Sequence, residues 1–249
     1  MQNKKYLFAN WKMYLNHEKS VALAHEFADT FATRVGDKVM AVFPSALAFS
    51  GVVGALHGTS IQVGAQNAHW VTEGGYTGEV SAAMYKEAGA QYMLIGHSER
   101  RHLCHETNHE VRQKVEAALS VGLTPVICVG ETEKEKQADQ TEEVVEAQVR
   151  SAFHGIVWPE GRELIIAYEP VWAVGTGLAC DPIEAERMHE LIKKQVVALT
   201  GITPIILYGG SVKPDNVVDY LKNPTINGVL VGGASTKLET WSGIVHAVK

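Results

Sequence analysis

Eight short apolar runs recur along the chain: Tyr6–Ala9, Val39–Phe43, Ile61–Ala65, Tyr92–Ile95, Pro125–Val129, Leu164–Tyr168, Pro204–Tyr208 and Gly228–Val231. They are nearly continuous rather than alternating, which is the pattern of parallel strands covered on both faces. Between them lie segments with helical patterning, as in Met188, Leu191, Ile192 and Leu199. That helix has a marked start, with Asp181 as N-cap, Pro182 in the first turn and Glu184 behind it, and Gly201 follows its end. The repeat of roughly thirty residues is about one strand–helix unit.

No Pro/Gly/Ser-rich linker interrupts the repeat, so residues 1–249 are expected to form one domain. Eight alternating units make either a closed barrel or a large doubly wound sheet, and the count of eight favours an α/β (β/α)8 barrel. The acidic stretch from Glu131 to Glu146 is expected to begin a helix and present a solvated face.

A net charge of −6 argues against a nucleic-acid partner but leaves room for a small anionic substrate. Cys104, Cys128 and Cys180 are odd in number and widely spaced, so a reducing, cytoplasmic setting is expected. Residues Met1–Tyr6 hold no apolar run suited to a signal peptide, and no membrane span is expected. No histidine pair has zinc spacing and no aspartate cluster suits magnesium; neither metal nor cofactor is expected.

In a barrel of this kind, chemistry gathers at the carboxyl ends of the strands. There the first run leads into Asn10 and Lys12, the fourth into Gly96 and His97, and the sixth into Glu169. The seventh leads into Gly209, Gly210 and Ser211, and the eighth into Gly232 and Gly233. Partial desolvation at the barrel mouth is expected to raise the Glu169 pKa and make it a better base; its plain alternative is a surface carboxylate. His97 is either a structural histidine or a ring kept neutral by a helix that starts at Ser98. Lys12 is either a solvated cation or a fixed charge aimed at a developing enolate. The last two glycine-rich loops suit a phosphate, held by backbone N–H groups and by Ser211. A base, a neutral donor and a cation beside such a site point to proton abstraction next to a carbonyl.

The chain resembles triosephosphate isomerases in seven ordered blocks. They are Phe8-Ala9-Asn10-Trp11-Lys12-Met13, Ala65-Gln66-Asn67 with Tyr76-Thr77-Gly78-Glu79, Ile95 to Arg101, Cys128 to Glu131, Tyr168 to Gly177, Tyr208 to Val212, and Val231 to Ser235. The resemblance implies interconversion of dihydroxyacetone phosphate and glyceraldehyde 3-phosphate, with Glu169 as base and His97 as neutral electrophile. Lys12 and Asn10 would stabilise the enediolate, and Gly175, Ser211, Gly232 and Gly233 would hold the phosphate. It also implies a lid over 170–177 and a homodimer formed through loop 66–79, with Thr77 supporting the partner's site. Glycine is common in that family where this chain has His105 and Asp139, and an apolar residue is more usual at Thr236. A lysine-dependent aldolase barrel and a phosphate-binding barrel without catalysis are the rival readings.

Overall fold

Pairing of the last strand with the first closes the sheet. The computed structural model describes residues 4–31, 36–173 and 179–248. Its strands are β1 (Lys5–Asn10), β2 (Lys38–Phe43), β3 (Gln62–Ala65), β4 (Tyr92–Ile95), β5 (Thr124–Val129), β6 (Ile165–Tyr168), β7 (Ile205–Tyr208) and β8 (Gly228–Val231). All pair in parallel, in sequence order, and β8 returns to β1 with Leu7 opposite Val229. The doubly wound alternative is therefore excluded. Helices between the strands complete the (β/α)8 architecture expected from the repeat.

The continuous apolar runs are explained by two buried faces. Tyr6, Phe8, Phe43, Tyr92, Leu94 and Leu207 belong to one cluster, inside the barrel. The Phe8 ring lies 4.8 Å from Tyr92 and 5.5 Å from Phe43. Their strand neighbours Leu7, Ala9, Met93 and Ile95 point outwards into a second cluster, under the helices. Each large side chain removed from water in this way is worth roughly 1.5–3 kcal/mol, so both faces of every strand are tied down.

Helix Pro182–Thr200 starts and stops where expected: the Asp181 side chain accepts the Ile183 N–H, and Gly201 takes φ 72°. Its buried face is Ala185, Met188, His189, Ile192 and Val196, while Leu199 is exposed. The seven-residue step to Leu199 therefore overshoots the buried stripe. The acidic stretch forms two helices, Glu133–Gln137 and Thr141–Phe153. Between them Asp139 takes a left-handed φ of 58°. Glu131 departs from the expected solvated face, because its side chain is buried.

Candidate active site

Short helices and turns at the carboxyl ends of the strands deliver the polar side chains to one mouth. After β4, Gly96 adopts φ 71°, and His97 becomes the N-cap of helix Ser98–Leu103. The imidazole Nδ1 accepts the Glu99 backbone N–H at 3.2 Å. An accepting Nδ1 leaves the proton of the ring on Nε2. That Nε2 donates to Glu169 Oε1 at 3.0 Å. Glu169, the residue after β6, also accepts the Ser98 N–H at 2.9 Å.

The carboxylate is almost fully enclosed. Burial alone pushes its pKa up. The facing His97 imidazole, the Ser98 N–H and the Lys12 ammonium outweigh burial and bring the carboxyl below its ordinary range. The raised pKa expected from position is thus corrected: desolvation is present, but its effect is overcome by three favourable partners. Behind Glu169, Cys128 is buried, and burial together with the Glu169 charge pushes its thiol well up, which keeps it neutral.

Lys12 enters from the end of β1 with φ 46°, a conformation that costs an L-residue energy. Two side chains hold it there: Asn10 Oδ1 accepts its N–H at 3.0 Å, and Gln66 Nε2 donates to its carbonyl at 2.9 Å. Its ammonium pairs with Glu99 Oε1 at 2.7 Å. The same stem passes close to Gly232, where an added Cβ would lie 3.1 Å from Lys12 Cε. At Gly209 a Cβ would lie 2.8 Å from Glu169 Cγ. The two glycines therefore make room for the Lys12 stem and for the Glu169 side chain.

Asn10, Lys12, His97 and Glu169 open on one cavity of about 250 Å³, whose far wall includes Ser211, Gly232 and Gly233. Gly233 begins a 3-10 turn, Gly233–Thr236, at the end of β8. Gly175 and Gly177, and with them the second half of the expected lid, 174–177, lie outside the described residues. Thr77 is exposed in the third loop and away from this cavity. Thr236 is half-buried, and its hydroxyl donates to the Gly233 carbonyl at 2.8 Å.

Sequence reasoning missed the partners of these groups. Glu99 holds both Lys12 and, through its backbone, His97. Glu106 is buried and accepts from Gly96 N–H, Arg100 Nε and Lys114 Nζ, so it fixes the turn before His97. Burial pushes the Glu106 pKa up, but Lys114 and Arg100 bring it below the ordinary range. Arg101 spends its guanidinium on Gly96 O, Asn108 Oδ1 and Cys128 O. The one available signal was the charged run after β4, Glu99 to Arg101, and its register was not readable from spacing.

Fold and mouth together define a (β/α)8 barrel of the enzymatic kind, with an acid–base cluster at its carboxyl rim. Among the described residues, no group of histidines, cysteines and carboxylates is arranged to hold a metal ion. The family model for triosephosphate isomerase matches residues 5–248. Three relatives named triosephosphate isomerase illustrate the likeness. The protein from Rhodopirellula baltica is 39% identical over 99% of this chain and 98% of its own. That from Herpetosiphon aurantiacus is 42% identical over 96% and 97%, and that from Carboxydothermus hydrogenoformans 42% over 97% and 98%. The chain belongs to the triosephosphate isomerase family; it is an isomerase, and its substrate is a triose phosphate.

Proposed function

We propose that Glu169 carries the proton between the two carbons that interconvert dihydroxyacetone phosphate and glyceraldehyde 3-phosphate. The observation behind this reading is the meeting of Glu169, His97 and Lys12 at one cavity bordered by the Ser211 and Gly232–Gly233 loops. Glu169 leaves the Ser98 N–H and removes a proton from the carbon next to the carbonyl. The His97 Nε2–H, freed from the carboxylate, donates to the carbonyl oxygen. Negative charge on the resulting enediolate is stabilised by Lys12 and Asn10, which are already in place and need little reorganisation. His97 gives its Nε2 proton to the former carbonyl oxygen and takes the proton of the neighbouring hydroxyl, Glu169 returns its proton to the adjacent carbon, and the aldose or ketose is released.

The phosphate is held by backbone N–H groups of Ser211, Gly232 and Gly233, with Gly175 added from the segment 170–177. That segment acts as a lid. Excluding water strengthens the electrostatics of the mouth and protects an intermediate prone to lose phosphate. The whole chain, 1–249, works as one catalytic domain, with no metal or cofactor in the step.

A homodimer accompanies this reading. The third loop is packed about His69, whose ring lies 4.2 Å from Trp70 and 4.3 Å from Tyr76, and it leaves Thr77 exposed. Beside the mouth lies a second cavity of about 470 Å³, bordered by Met13, Gln66, Glu79, Leu103 and Cys104. Met13 is 95% exposed and Leu103 75%. Such an apolar rim suits the loop of a second copy. The three thiols are unpaired, in keeping with a reducing compartment. No helix among the described residues is long and apolar enough to cross a membrane.

A coupled isomerase assay on Glu169→Gln tests the assignment. The expected outcome is retained substrate binding with turnover lower by about 10²–10⁴-fold. Full activity in that variant would remove Glu169 from the role.

A further inference from the structure

The segment that leaves the base is gripped from outside the mouth. Trp172 lies three residues after Glu169, in the 3-10 turn Val171–Ala173. Its indole N–H donates to Glu131 Oε1 at 2.8 Å, and the Val171 N–H donates to the Glu131 carbonyl at 3.0 Å. Glu131 also accepts the Tyr168 hydroxyl, at 3.1 Å to Oε2. The indole face is covered by Lys136, whose Nζ stands 3.1 Å from the ring centroid.

Lys136 is itself well placed. Helix Glu133–Gln137 opens with a capping box between Thr132 and Glu135, and the Lys136 N–H donates to Thr132 O. Asp139 then turns the chain sharply away. Glu131, Lys136, Glu142, Trp172 and Arg187 border a cavity of about 470 Å³ separate from the mouth.

We infer that Lys136 is a positioning residue for the isomerase reaction: it presses the Trp172 indole against Glu131 and so sets the path of the chain out of Glu169 towards the lid. Nothing brings Lys136 itself to the substrate. A cation over a half-buried indole face has the strength to bias such a segment several-fold. The inference rests on the reading of 170–177 as a lid that completes phosphate binding.

The test uses protein labelled with fluorotryptophan, with the Trp172 resonance assigned through Trp172→Phe, and compares Lys136→Met and Lys136→Arg by fluorine NMR and by steady-state kinetics. Lys136→Met is expected to move or broaden the Trp172 resonance and to raise KM by about 2- to 5-fold, with a smaller change in kcat. Lys136→Arg, whose planar guanidinium also stacks on an indole, is expected to restore both. An unmoved resonance in Lys136→Met would overturn the contact. A moved resonance with an unchanged or lowered KM, or a raised KM that arginine does not rescue, would overturn the positioning role. Absence of isomerase turnover in the unsubstituted protein would instead count against the proposed function, and the resonance would still decide whether Lys136 holds Trp172.

Discussion

Among the described residues, three with a Cβ occupy left-handed backbone: Lys12 at φ 46°, His105 at 56° and Asp139 at 58°. The conformation costs roughly 1–2 kcal/mol for most side chains and less for aspartate, which tolerates it better. At Lys12 the cost is offset by the Asn10 and Gln66 hydrogen bonds and aims the ammonium into the mouth. No such function attaches to His105, an exposed residue at the turn into Glu106. His105→Gly is therefore expected to raise stability by up to about 1 kcal/mol, relief of strain exceeding the entropy gained by the unfolded chain. Urea midpoints of the two proteins would check this, and a lower midpoint for the glycine variant would contradict it. The resemblance to the family implies glycine where His105 and Asp139 stand, and the structure supplies the reason: both turns need a positive φ.

Between elements, the decisive link is the buried carboxylate of Glu106. It joins the turn after β4 to Lys114 of helix Asn108–Ser120, and Lys114 in turn reaches Asn67 after β3 at 2.8 Å. Removing one member of a buried pair strands the other charge. Glu106→Leu is expected to cost about 3–5 kcal/mol, and Lys114→Met placed on top of it should recover much of the loss. Denaturation of the single and double variants would check this; additive losses would show that the two charges are not coupled. This link illustrates what was and was not legible beforehand. The strands declared themselves because both faces of each are buried, and Asn10, Lys12, His97 and Glu169 because strand ends are identifiable once the strands are. Glu99, which pairs with Lys12, and Glu106 and Glu131, which hold the neighbouring turns, were not, because pairing depends on the register of a helix or turn against a distant strand. Glu99 is 87 residues from Lys12. The same gap explains the wrong direction expected for the Glu169 carboxyl: burial was readable from position, whereas the Ser98 N–H and the imidazole facing it were not.

At the scale of the molecule, one buried group links the outer layer to pH. His189 is fully buried on helix Pro182–Thr200, with Nδ1 2.6 Å from the Ala185 carbonyl. Burial, the largest influence, lowers its pKa from 6.5 to about 4, against the opposing pull of backbone carbonyls. The unfolded chain therefore binds a proton where the native one does not. Stability from this residue is complete above about pH 6.5 and is lost as pH falls towards 4, to the extent of about 3 kcal/mol. His189→Gln is expected to flatten the dependence of unfolding free energy on pH across that window; an unchanged slope would show that His189 is not its source.

The mouth works as a whole because a closed sheet brings residues from β1, β4 and β6 to one rim, and the account stands or falls on proton transfer there. The most direct measurement is conversion of dihydroxyacetone phosphate in deuterium oxide, with the product read by proton NMR. This chemistry requires the adjacent carbon to receive either the original hydrogen carried by Glu169 or solvent deuterium exchanged onto that carboxyl, and loss of both turnover and any deuterium incorporation in Glu169→Gln. Undiminished turnover or undiminished exchange in that variant would contradict it.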